Sequence, residues 1–174
     1  MDDSPRGVKA WTEQTTAFDR VRAIAQAIDQ PRTAAYIATE AAVSETTAHD
    51  HLKRLVEMSV VRTVSGEDAT LYEPDPLYAR FRTLRRLIDE HSHAELLELK
   101  ADVQQQIEAF EQQYDVTSPT ELREQAADVA TPAETMQLME DASDWELSHY
   151  HLSVVNDAID NYSEYTGLDS RVRV

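Results

Sequence analysis

The sequence predicts a mainly α-helical protein with one small β-hairpin. Only 3 of its 174 residues are Gly and 6 are Pro, whereas Ala, Leu, Glu and Gln are abundant, and this composition favours helix over sheet. Apolar residues recur at helical spacing along most of the chain. The exception is segment 60–73, where two short alternating runs flank a turn-forming sequence at residues 65–68. That pattern predicts two strands joined by a hairpin turn.

Two helices are predicted in the first quarter of the chain, after an N-terminal arm of residues 1–11. The first covers residues 12–30, because its apolar residues fall on one helical stripe and Pro31 follows its last turn. The second covers residues 33–43, with Thr33 as its N-cap. Its Ala-rich face is small enough to let the next helix pack closely.

The third predicted helix begins after Ser44, whose hydroxyl can accept a hydrogen bond from a backbone N–H of the first turn. Ala48, Leu52 and Leu55 follow at helical spacing, so one narrow apolar stripe faces the protein interior. The opposite surface carries short polar and basic side chains, which suit the major groove of DNA. From this helix and the strand after it, we expect DNA contacts by Ser44, Thr46, Thr47, His49, Asp50, Lys53, Arg54 and Arg62.

The expected contacts are of two kinds, because base edges carry sequence information and phosphates do not. The contacts with base edges are expected from Thr46, His49 and Asp50. The contacts with phosphates are expected from Thr47, Lys53 and Arg54. The alternative interpretation is that this surface is the solvated face of an ordinary helix.

Helix, turn, helix and hairpin is the element order of a winged helix-turn-helix. The residues that carry the pattern are Ser44-x-x-Thr47-Ala48-x-x-His51-Leu52-x-x-Leu55, then Val60-Val61-Arg62 and a hairpin that ends in Leu71-Tyr72. Over about residues 12–74, this pattern resembles the winged-helix domain of ArsR-like transcription regulators. The whole chain is similar to the acidic winged-helix regulators of salt-loving archaea. Two positions depart from the family pattern: Ser59 stands where such domains usually have Gly, and Glu67 and Asp68 make the hairpin tip acidic where many relatives are basic.

The net charge of −17 has the wrong sign for a DNA-binding protein in ordinary salt. An acidic adaptor or DNA mimic would be negative for its function, whereas a protein from a molar-salt cytoplasm would be negative everywhere. The presence of 13 Arg against 3 Lys, together with few aromatic residues, favours the halophilic interpretation. Residues 1–78 hold 8 basic and 13 acidic groups (−5), and residues 79–174 hold 8 and 20 (−12). The first part is thus the less acidic one, as binding to phosphate requires.

Residues 77–174 are predicted to form an α-helical dimerisation region, which could also sense an effector. A helical pattern runs from Leu77 to Tyr114, a short helix follows Pro119, and a long helix runs from Pro132 to about Tyr165. Apolar residues seven positions apart form coiled-coil-like seams on the two long helices. We expect a homodimer through these seams, with a helical core inside one chain as the alternative. The seam residues are Leu96, Val103, Ile107, Phe110, Leu138, Trp145, Leu152 and Ile159.

Arginines cluster between residues 80 and 86. Arg82, Arg85 and Arg86 share one helical face, opposite an apolar face. They either contact phosphates beside the binding site or pair with the acidic residues of the C-terminal part.

Several classes of function are not expected. The chain has no Gly-rich phosphate loop and no nucleophile elbow, so we expect no enzyme and no cofactor. Zero Cys excludes thiolate ligands, and the side chains of a His-x-His pair diverge on a helix. Of the three such pairs, only His91 and His93, at a helix break expected before Ala94, could converge, and we expect no metal site. The longest apolar run, Ala34 to Ala38, is far below the roughly 20 residues that span a bilayer, and no secretory signal precedes it. A cytoplasmic location is therefore expected.

The sequence thus predicts a homodimeric transcription regulator that binds double-stranded DNA at an inverted repeat. The alternative is a winged-helix adaptor or acidic DNA mimic that binds proteins and not DNA.

Overall fold

The computed structural model describes residues 14–66, 69–127 and 131–167, and is mainly helical with one small antiparallel sheet. The chain divides into two compact units, Met1–Phe81 and Arg82–Val174. The sequence placed this boundary between residues 76 and 77. The helices and strands are α1 (Ala17–Ala27), β1 (Arg32–Thr33), α2 (Ala34–Glu40), α3 (Glu45–Glu57), β2 (Val61–Ser65), β3 (Thr70–Pro74), α4 (Pro76–Glu90), α5 (His93–Tyr114), α6 (Pro119–Ala126), α7 (Pro132–Asp160) and α8 (Tyr162–Tyr165).

The core of the first unit lies between α1, α2, α3 and the sheet. The apolar stripe predicted on α3 is confirmed, because Ala48, Leu52 and Leu55 are fully buried. Val21 of α1 and Ile37 of α2 are fully buried beside them. Since burying a Leu or Ile side chain contributes about 1.5–3 kcal/mol, this stripe fixes one side of α3 firmly to the unit.

The predicted hairpin is confirmed, and a third strand joins it. The sheet order is β1-β3-β2, with all neighbours antiparallel. Arg32 and Thr33 of β1 pair with Tyr72 and Leu71 of β3. The sequence did not predict β1, because two residues are too few to show the alternation of a strand. The acidic hairpin tip at residues 67–68 lies outside the described residues.

Capping side chains set where the helices of the first unit begin. The predicted N-caps are confirmed, since Thr33 accepts a hydrogen bond from the backbone N–H of Tyr36 and Ser44 accepts one from that of Thr47 (3.2 Å each). The prediction that the first helix covers residues 12–30 was wrong at both ends. This helix begins at Ala17 because Thr16 caps it, and it ends at Ala27. Residues 12 and 13 lie outside the described part of the chain.

Helices α2 and α3 both end with a residue in the left-handed backbone conformation. Ala42 has φ 52° and Ser59 has φ 56°. In each case the next residue donates its backbone N–H to a carbonyl five positions earlier, at 3.0 Å for Val43 and 2.8 Å for Val60. This is the Schellman arrangement, in which Gly is the preferred residue. It also explains why α2 stops at Glu40 and does not reach residue 43 as predicted. Ser59 thus takes the left-handed conformation for which Gly is the preferred residue.

Replacing Ala42 by Gly should stabilise the protein by about 0.5–1 kcal/mol. The left-handed conformation costs a residue with a Cβ about 1–2 kcal/mol, and the greater chain entropy of Gly offsets part of the gain. Ala23→Gly is the matched control, since Ala23 is exposed inside α1 and the same change there should destabilise by about 1 kcal/mol. Urea unfolding followed by circular dichroism measures both. Equal destabilisation by the two variants would contradict the assignment of strain to Ala42.

The second unit contains two clusters of buried apolar residues. Leu87 of α4 and Leu96 of α5 pack with Val154 and Val155 of α7. The second cluster joins α5 and α6 to α7 around Trp145, which is fully buried. Among the described residues, no helix has the combination of length and apolar character needed to cross a membrane.

The helical pattern predicted over residues 77–114 forms two helices, with the break close to the one expected before Ala94. Ser92 interrupts it and caps α5 with Glu95, in a reciprocal pair of side-chain to backbone hydrogen bonds. The backbone N–H of Ser92 donates to the Glu95 carboxylate (2.7 Å), and this bond lowers the pKa of Glu95. The short helix covers Pro119–Ala126, and the predicted long helix also divides, into α7 and α8.

The seam residues expected at a dimer interface pack inside one chain. Leu96 and Trp145 are fully buried, Val103 and Ile107 nearly so, and the others are half-buried against the same two clusters. Contacts within the chain account for this burial, because α5 and α7 pack side by side. The buried seam residues therefore form an intrachain core, as in the alternative interpretation. The half-buried residues are Phe110, Leu138, Leu152 and Ile159.

Candidate nucleic-acid interface

Helix α3 presents a polar surface directly opposite its buried stripe. At about 100° per residue, Thr46, Asp50, Lys53 and Glu57 lie on this surface, and all four are exposed. We call these four residues the outer face of α3. None of their side chains has a hydrogen bond or an ion pair within the part of the chain that the structure describes. The outer face is thus held in place by the core and is free to contact a partner. Three of its members were expected from the sequence, and Glu57 was not.

Ser44 and Thr47 are engaged with each other at the start of α3. The Ser44 hydroxyl accepts from the Thr47 backbone N–H (3.2 Å), and the two hydroxyl oxygens are 2.8 Å apart. Their hydrogen bonds therefore hold the first turn of the helix. His49 stands at the edge of the outer face, with its Nε2 atom 3.7 Å from the Glu45 carboxylate.

The two arginines expected to flank the interface already have partners. The Nε atom of Arg62 donates to the Glu73 carboxylate at 2.6 Å across the hairpin, at a pair of residues in direct register. Arg54 places its guanidinium carbon 4.8 Å from the centre of the Phe18 ring on α1. The charge of Arg62 is therefore balanced by the Glu73 carboxylate, whereas Arg54 lies over an aromatic ring and has no ion pair with any described residue.

Phe18 is the centre of a cationic cluster that joins α1 to α3. Besides Arg54, Arg22 lies over the Phe18 ring at 5.8 Å, and the His51 ring meets it edge-on at 5.5 Å. Arg22 also pairs with Asp19 at 3.1 Å. The Nδ1 atom of His51 is buried and has no hydrogen-bond partner among the described residues. Phe18 and Arg22 are not among the expected contacts. Phe18 fits the apolar stripe of α1, Arg22 reaches its ring from one turn further along the same helix, and only tertiary packing brings Arg54 to it.

The three arginines of the shared face on α4 are exposed but differ in their partners. Arg85 donates to Asp89 of the same helix at 2.9 Å, so it pairs with a carboxylate one turn away. Arg86 has no ion pair or hydrogen bond in the described ranges. Arg82, by contrast, interacts with another group of the protein. All three belong to the second unit, whereas the outer face of α3 belongs to the first.

The electrostatic character of the outer face is mixed. It offers one ammonium group, on Lys53, against the two carboxylates of Asp50 and Glu57. No group of three or more potential metal ligands converges anywhere in the described part of the chain. The outer face of α3 therefore offers hydrogen-bonding groups and one positive charge, on Lys53, that could bind a phosphate.

Residues 15–164 match the model of a family of unknown function (DUF7342), and the chain belongs to that family. No curated protein and no solved structure is significantly similar to it.

Proposed function

We propose that the protein is a DNA-binding transcription regulator in which residues 17–74 form a winged helix-turn-helix of the ArsR-like type. Helix α3 is the recognition helix, and the β2–β3 hairpin is the wing. The observation that carries this proposal is the outer face of α3. A helix that is fully buried on one side presents four exposed polar side chains on the other, and none of the four has a hydrogen bond or ion pair with another described residue.

The side chains of this face suit the major groove. The Asp50 carboxylate can accept a hydrogen bond from the amino group of cytosine, and the Thr46 hydroxyl can donate or accept. His49, at the edge of the face, offers ring nitrogens to a base edge. Lys53 is a point charge that suits a phosphate, and Arg54 lies beside it on the Phe18 ring. One set of groups can thus read the base sequence, and another can fix the position of the protein on the DNA backbone.

Variants of the outer face test the proposal. Lys53→Ala should weaken binding to every DNA sequence about equally, because a phosphate contact carries no base identity. His49→Ala should cost roughly 1–3 kcal/mol at the specific site and little elsewhere. Fluorescence anisotropy with a fragment selected from a random library, and with a scrambled fragment, measures both effects.

Lys100→Ala is the matched control, because it removes the same charge from α5 in the second unit. It should bind both fragments like the parent protein. If Lys53→Ala and His49→Ala also bind like the parent, α3 is not the recognition helix.

A second candidate function is that of a protein-binding winged-helix adaptor. The acidic balance of the outer face and the neutralisation of Arg62 by Glu73 favour it. If the protein binds no fragment from a library of native promoters at any salt concentration, the adaptor function is favoured over the DNA-binding one.

We also propose that the protein is a homodimer that uses an exposed stripe on α7. Met136, Met139, Leu147 and Tyr150 lie within one narrow sector of this helix, and all are exposed. Ser143 occupies the same sector between them. An exposed apolar stripe with polar flanks is typical of a protein–protein contact. A second copy of the chain is the fitting partner, because a dimer presents two recognition helices to the two halves of an inverted repeat.

A further inference from the structure

The second unit contains a cavity of about 190 Å³ between α4, α5 and α7. Its floor is mainly aliphatic, and three polar residues also line it: Thr83 and Arg86 on α4 and His151 on α7. Arg86 and His151 are exposed, so they form part of the rim. The apolar lining consists of Leu87, Leu99, Val103, Val154 and Val155.

Arg86 is the residue at this cavity whose side chain is charged and, among the described residues, unpaired. Its guanidinium is charged at every physiological pH, and it has no ion pair or hydrogen bond with any described residue. The neighbouring Arg85 does not line the cavity and is paired with Asp89. The cavity therefore combines an apolar interior with one unpaired cation at its rim, and the His151 ring adds a nitrogen that can donate a hydrogen bond.

We propose that this cavity binds a small organic acid with an apolar body, placing the body on the aliphatic floor and the carboxylate on Arg86 and His151. A guanidinium suits a carboxylate because its N–H groups match both oxygens. The volume limits the body to about one ring or a short branched chain, since an apolar cavity of about 150 Å³ accommodates benzene. It is smaller than the ~300–1,000 Å³ typical of sites for larger ligands.

The charge on Arg86 decides between classes of ligand. An organic cation would be repelled at the rim, and a metal ion would find only one side-chain oxygen among the lining residues, the hydroxyl of Thr83. A neutral apolar molecule would fill the floor but gain nothing from Arg86. The acid is thus the occupant that uses both parts of the cavity.

Matched pairs of acids and amides test this proposal. Benzoate and phenylacetate are compared with benzamide and phenylacetamide by ligand-observed NMR titration of the full chain. The potassium chloride concentration is the lowest at which circular dichroism shows the chain folded, because salt screens the contact with Arg86. We expect each acid to bind at least about tenfold more tightly than its amide, which corresponds to about 1.4 kcal/mol.

Two arginine variants locate the contact. Arg86→Gln should lower the affinity for the acids to that for the amides and leave the amides unchanged. Arg85→Gln, with the same loss of charge one residue away, should keep the full preference for the acids. Arg86 is exposed, so its substitution should not affect folding.

Filling the cavity locates the apolar part. Val155→Phe should abolish binding of acids and amides alike; if it does not fold, the arginine pair remains decisive. Equal affinities for acids and amides, equal effects of the two arginine variants, or no binding of any probe would overturn the proposal. None of these measurements involves DNA, so this proposal stands or falls separately from the proposed function.

Discussion

In a titration from about 0.1 to 2 M potassium chloride, we expect the affinity for one specific DNA fragment to stay nearly constant or to rise. An ordinary DNA-binding protein loses affinity, with a log–log slope near −0.9 for each phosphate that it neutralises. Here the outer face of α3 brings only Lys53 to the phosphates, together with the carboxylates of Asp50 and Glu57. Potassium ions taken up between carboxylate and phosphate would oppose the release of ions from the duplex. The slope should therefore be shallow or positive.

Removal of the Glu57 carboxylate, which has no proposed base contact, tests the cause. Glu57→Gln should bind more tightly at 0.1 M salt and show a more negative slope, because less cation is taken up. The control Glu108→Gln makes the same charge change at an exposed position of α5 and should behave like the parent. A steep negative slope of the parent protein, with circular dichroism showing a folded chain throughout, would reject this explanation of the −17 charge.

In molar potassium chloride, light scattering should give about twice the chain mass of 19.7 kDa, and Leu147→Glu should reduce it to that of one chain. Leu147 is at the middle of the exposed stripe on α7 and is 49% exposed, so a charge there is solvated in the monomer but buried without a partner in the dimer. High salt is required because each second unit is strongly acidic, and the Debye length is about 3 Å at 1 M.

Ala109→Glu is the control for this experiment. It adds the same charge at an exposed position of α5 outside the stripe and should leave the dimer intact. A parent protein that scatters as a single chain at micromolar concentration would rule out the dimer. If the Leu147→Glu variant remains dimeric, the dimer interface does not involve the exposed stripe on α7.

Structural features that depend only on residues close in sequence could be predicted. The Ser44 cap and the Ala48, Leu52, Leu55 stripe follow from helix geometry alone, and both are confirmed. The strand β1 could not be predicted, because two residues are too few to show the alternation of a strand and only their pairing with β3 makes them one. The heptad seams were identified correctly as apolar surfaces, but their spacing is the same whether a helix of the same chain or of a second chain covers them.

The candidate site shows the same limit. Exposure of the outer face follows from the helical period, so three of its four residues could be named in advance. The partner of Arg62 could not, since the strand register that sets Arg62 opposite Glu73 depends on the length of the hairpin turn. The position of Arg54 on Phe18 depends on how α1 crosses α3, which no local pattern specifies.

The short strand β1 gives the first unit a mechanical property. Arg32 and Thr33 are bonded to β3 of the hairpin, and α2 begins at the next residue. Thr33 both pairs with Leu71 of β3 and accepts the hydrogen bond that caps α2, so a single residue ties the hairpin to the start of this helix. The β3 edge of the hairpin is thus anchored to α2 and through it to α3, against which α2 packs.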